Sequence, residues 1–135
     1  MSSTRLFRQQ HEELSLLTAE LRKQLADQAV VEAYTAYRTY AKKLQQHLAM
    51  EDRGLYPQLL VHPDEQVRLT AQIYQAEMGN IGRDFEVLDS RWDRLERAER
   101  DFGAFVREVG NLLDRVDHRI AREDHGLYAL VDRLE

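Results

Sequence analysis

The sequence predicts an all-α protein, an up-down-up-down four-helix bundle, from three observations. Long segments rich in Leu, Ala, Glu, Arg and Gln carry apolar residues three and four apart, and nothing alternates with period two. The breaks between these segments are short, with no Gly/Ser linker, and both prolines, Pro57 and Pro63, fall in one stretch. Four such segments with brief connections close as an antiparallel bundle. A chain of 135 residues is one domain, 1–135, long enough to bury a core.

Each helix has its own apolar face, tracked at about 100° per residue. The first helix runs from about Ser3 to Asp27, with Phe7, Leu14, Leu21 and Leu25 facing inward. The second spans about Val31 to Tyr56, presents Tyr37, Tyr40, Leu44 and Leu55, and ends near Pro57. Pro63-Asp64-Glu65 opens the third with an acidic first turn, and it continues to about Asp93 behind Ile73, Ile81, Phe85, Leu88 and Trp92. The fourth covers about Asp101 to Leu134, with Phe102, Phe105, Val109, Leu112, Val116, Ile120 and Leu127 on one stripe.

Composition excludes several function classes. Asp and Glu total 24 against 19 Lys and Arg, a net charge of −5, which suits neither nucleic acid nor an anionic membrane as partner. The absence of cysteine removes disulfides, zinc ribbons, iron–sulfur clusters and thiol catalysis, and fits a reducing compartment. The first residues lack the apolar run of a signal peptide, and no stretch is long enough to cross a bilayer. The expected location is cytoplasmic.

Against this background, five ionisable side chains fall on inward faces. His11 lies between Phe7 and Leu14, His47 and Glu51 between Leu44 and Leu55, Glu77 between Ile73 and Ile81, and Glu123 continues the fourth stripe. A lone inward His is usually a hydrogen-bonded core residue, and a buried carboxylate must be paired, protonated or bound to metal. Five such residues spread over all four helices argue for a site. Counted from one bundle end, all lie six to thirteen residues in, about 9–20 Å, so they can share a layer. His47 and Glu51, four apart, reach the same centre. Glu51-Asp52-Arg53-Gly54-Leu55-Tyr56 returns as Glu123-Asp124-His125-Gly126-Leu127-Tyr128, with five of six positions identical. Three carboxylates and two imidazoles without thiolate suit iron or manganese, with zinc possible. Two divalent ions with a bridging hydroxide nearly neutralise the carboxylates; a single ion is overfilled by five ligands.

At these residues the sequence resembles the hemerythrin-like, HHE cation-binding family over essentially its whole length. The carrying features are His11 in Gln-Gln-His-Glu-Glu-Leu, His47-Leu-Ala-Met-Glu51 followed by Leu55-Tyr56-Pro57, and Ile120-Ala-Arg-Glu123 followed by Leu127-Tyr128. The resemblance implies a non-heme di-iron four-helix bundle, two irons with an oxo or hydroxo bridge, whose relatives bind O2, respond to O2, redox state or NO, or handle iron. It places two histidines a turn apart on the third helix, where this chain has Ile73 and Glu77. His118 and Glu123 match a final His-and-acid pair by count, but helical phase puts His118 on the surface, with His125 and His62 also facing solvent.

A carboxylate-rich set with few histidines favours sensing, peroxide or NO handling, or iron binding over simple O2 carriage. His11, His47 and Glu77 are then terminal ligands and Glu51 and Glu123 bridges, with hydroxyls from Tyr40, Tyr56, Tyr74 or Tyr128 behind them. An oxidase or peroxidase is the enzymatic alternative, although no separate acid–base pair or nucleophile motif supports it. A metal-free helical interaction module is the other. With no effector domain, signalling needs a protein partner or a homodimer.

Overall fold

A computed structural model describes residues 4–135, apart from the side chain of Met78. The expected helix start at Ser3 and the side chain at Met78 lie outside the described residues. No strand occurs among the described residues. Four antiparallel rods are built from α1 (Arg5–Ala26); α2 (Val30–Met50) with α3 (Tyr56–Leu59); α4 (Glu65–Met78) with α5 (Ile81–Arg91); and α7 (Phe102–Arg122) with α8 (Tyr128–Leu134). The short α6 (Leu95–Arg100) precedes α7.

The connections are tight. Gln28, at φ 56°, turns the chain between α1 and α2 in the left-handed region. Asp64 caps α4 by accepting from the backbone N–H of Gln66 and Val67, and Asp101 caps α7 through Ala104 N–H.

The apolar stripes of α1, α2 and α7 bury as their periodicity requires, and one cluster of buried side chains runs the length of the bundle. One end is aromatic. Trp92 packs edge-on against Phe105 at 5.3 Å, and Tyr37 does so at 5.5 Å. The other end holds the ionisable side chains.

Two expectations about the third rod are corrected. It is broken at Gly79-Asn80 rather than continuous. Its inward face is Val67, Ala71, Tyr74, Ile81 and Phe85, while Ile73 is 53% exposed. Ile73 outranks Ala71 and Tyr74 in hydropathy, which drew the expected face round by about 100°. The true stripe leaves Glu77 at its solvent edge, where Arg122 pairs with it at 3.0 Å.

The second and fourth rods do not run straight through. Glu51–Leu55 and Glu123–Leu127 each form a π-turn, closed by Tyr56 N–H to Glu51 carbonyl and by Tyr128 N–H to Glu123 carbonyl. The repeated Glu-Asp-x-Gly-Leu-Tyr is therefore one local structure made twice. The second rod ends close to Pro57, which falls in the first turn after the π-turn, and it runs on to Leu59.

Candidate metal centre

In an α-helix, residues five apart diverge by about 140°. The extra residue of each π-turn brings Tyr56 back to the face of Glu51, and Tyr128 to the face of Glu123, so all four are buried. The tyrosines then cross over. Tyr56 donates to Glu123 Oε2 at 2.7 Å, and Tyr128 donates to Glu51 Oε2 at 3.3 Å. Each repeat thus holds the carboxylate of the other. Of the remaining tyrosines, Tyr74 turns its hydroxyl onto Gly126, while Tyr40 is buried without a hydrogen bond to either carboxylate.

His11, His47, Glu51 and Glu123 come together with one ligand atom each, all within 4.8 Å of one another. His11 and His47 are 1% and 4% exposed, and both glutamates are fully buried. The structure does not bring the fifth expected ligand, Glu77, to this group; it stays at the surface with Arg122. His118 and His125 are exposed, and His62 is half-buried in its loop, its Nδ1 accepting from Asp64 N–H.

The ring nitrogens are sorted by their partners. His11 Nδ1 lies 2.8 Å from Asp124 Oδ1, and His47 Nδ1 lies 2.6 Å from Gln10 Oε1. Both partners accept only, so each Nδ1 carries the proton and each Nε2 is turned inward. There the two Nε2 atoms meet at 3.1 Å, with His11 Nε2 3.3 Å from Glu123 Oε1 and His47 Nε2 against Glu51 Oε1.

Arg119 is a buried member of the cluster that the sequence reading missed. It is 6% exposed and sets its guanidinium 3.4 Å from both Glu51 Oε2 and Glu123 Oε2. It lies four residues before Glu123 and 72 after His47, the separation of the two repeats. Extending the repeat back by one helical turn finds it: Arg119 stands where the first copy has His47. Asp124 and Gln10 were missed too, since both act through a histidine.

These neighbours set the charge states. Burial depresses His11, but Asp124 and Glu123 outweigh it and hold its pKa at about 9. Burial and the charge of His11 push His47 down to about 3. Burial and the adjacent Glu51 raise Glu123 to about 7.

The sequence matches the hemerythrin HHE cation-binding domain family over residues 2–131. The chain belongs to this family. No curated protein and no solved structure matches the chain. Family membership and the buried His/Glu cluster agree on metal binding, and the orphaned atoms support a fit. Glu51 Oε1 and Glu123 Oε1 are buried and accept no hydrogen bond. Together with two facing imidazole nitrogens they form an inward donor set of the kind that a transition-metal cation accepts.

Proposed function

We propose that His11, His47, Glu51 and Glu123 bind a transition metal, iron before manganese or zinc, and that the protein uses it to sense or remove O2, NO or peroxide. The observation that carries this reading is the division of each side chain: Nε2 and Oε1 converge, while Nδ1 and Oε2 are held by Asp124, Gln10, Tyr56, Tyr128 and Arg119. Imidazole and carboxylate donors without thiolate suit iron and manganese. Bound there, iron supplies a redox-active Lewis acid. The chain supplies orientation and exclusion of bulk water. Because the carboxylates are fully buried, only a ligand of a few atoms reaches the centre.

Metal-free operation is the second reading, and one observation favours it. A protonated His11 and the Arg119 guanidinium lie against the two buried glutamates, so the cluster carries compensating positive charge without metal. Metal content of protein purified from iron-supplemented cells, and again after reconstitution, separates the two. The first reading predicts stoichiometric iron that His47→Ala and Glu51→Ala each abolish. Unchanged iron in both variants, or none in the parent, overturns it.

A further inference from the structure

We infer that the centre holds one metal ion per chain, with the Arg119 guanidinium taking the place and the charge of a second. The inference deepens the metal-binding reading and rests on it. Three observations lead there.

The donor count comes first. A pair of ions shared by five side chains requires Glu77, which is at the surface with Arg122 at 3.0 Å. Four inward atoms remain, two nitrogens and two oxygens, all within 4.8 Å of one another. Those four serve one ion, with positions left for water or a small ligand.

The second is how the carboxylates are used. A glutamate bridging two ions gives one oxygen to each. Here Glu51 Oε2 accepts from Tyr128 at 3.3 Å and faces Arg119 at 3.4 Å, and Glu123 Oε2 accepts from Tyr56 at 2.7 Å and faces Arg119 at 3.4 Å. Both outer oxygens already have donors, and a guanidinium, which has no lone pair to offer a metal, lies against both. The structure therefore does not fit two bridged irons.

Charge decides the third. Two ionised glutamates and Arg119 sum to one negative charge; one divalent ion with a hydroxide restores neutrality. Two divalent ions beside a permanently charged guanidinium leave a large uncompensated positive charge in the interior. The internal repeat shows where the change lies. His47 and its counterpart Arg119 both stand four residues before a buried glutamate, so one half of the pseudo-symmetric site keeps an imidazole ligand and the other carries a fixed cation.

The test is titration of the metal-free protein with Mn(II) and, separately, with Fe(II), read by metal analysis and by electron paramagnetic resonance of the Mn(II) form. One equivalent per chain, with the six-line signal of an isolated Mn(II) ion and no exchange coupling, is expected. Two equivalents with a coupled signal overturn the inference while leaving metal binding intact; no uptake of either metal overturns metal binding and the inference with it. Arg119→Gln removes the charge, and a second equivalent is then expected, whereas Arg119→Lys keeps the charge and stays at one. An Arg119→Gln protein that is folded by circular dichroism and still takes one equivalent overturns the role given to Arg119. Because the parent count alone can contradict the inference, a variant that does not fold leaves it falsifiable.

Discussion

At the level of single residues, the centre is built by giving each polar side chain two different duties. His11 shows this most plainly: Nδ1 is tied to Asp124, and Nε2 faces Glu123 and His47. The same neighbours that orient the ring also hold its pKa at about 9, so below that pH His11 carries a proton that must leave before Nε2 can ligate. Apparent metal affinity is therefore expected to rise with pH from 6 toward 9, by about tenfold per unit for one displaced proton. Below about pH 7 the slope steepens, because Glu123 is then protonated too. Calorimetric titrations in buffers of different ionisation enthalpy count the released protons; an affinity flat across this range contradicts the assignment. Of the five residues expected at the site, His11, His47, Glu51 and Glu123 are the four that lie buried together, and the burial of each was legible because it sits on a strong apolar stripe. Arg119 was not, since a residue that is almost always charged and exposed is read as surface unless the repeat is followed one turn further back.

The helices themselves show what periodicity carries and what it does not. Straight α-helical phase put His11, His47, Glu51 and Glu123 on inward faces and His118 on an outward one, and the structure buries the four and exposes His118. It failed for Glu77, because Ile73 outweighed the Ala71 and Tyr74 that carry the real face. It also gave no sign of the π-turns, which appear in the sequence only as a repeated motif. The two copies differ in one respect that can be measured. A Cβ on Gly126 would collide with the Tyr74 hydroxyl, while one on Gly54 meets nothing within 4 Å. Neither glycine has positive φ, so backbone strain does not enter. Gly126→Ala is expected to destabilise the protein by about 1–3 kcal/mol through overpacking. Gly54→Ala is expected to be neutral or to stabilise by up to about 1 kcal/mol, by restricting the unfolded chain. Chemical denaturation of the two variants beside the parent checks the contrast, and equal effects would contradict it.

Across the whole molecule, the bundle divides its work by length. The aromatic end, with Trp92 and Tyr37 each in edge contact with Phe105, supplies apolar burial. The opposite end buries charge that burial alone opposes, and compensates it with Arg119 and a protonated His11. Metal binding is thereby coupled to folding, because the unfolded chain does not assemble the four donors. At a free metal concentration about a hundredfold above Kd, binding adds about 2.7 kcal/mol to stability. Differential scanning calorimetry is expected to show Tm rising by several degrees with Fe(II) or Mn(II), and returning to the metal-free value with chelator. No shift at saturating metal would mean that the cluster is held by its internal charge balance alone. The all-α class and the inward stripes of three rods were readable from spacing. The break at Gly79-Asn80 and the crossed tyrosines were not, since both depend on how the rods pack against one another.

The central claim is that four side chains converge on a metal, and anomalous diffraction from crystals of the iron-reconstituted protein tests it most directly. Data above and below the iron edge are expected to show anomalous density bounded by His11 Nε2, His47 Nε2, Glu51 Oε1 and Glu123 Oε1. Density at the Glu77–Arg122 pair instead, or none anywhere in the bundle of iron-treated protein, would contradict the account.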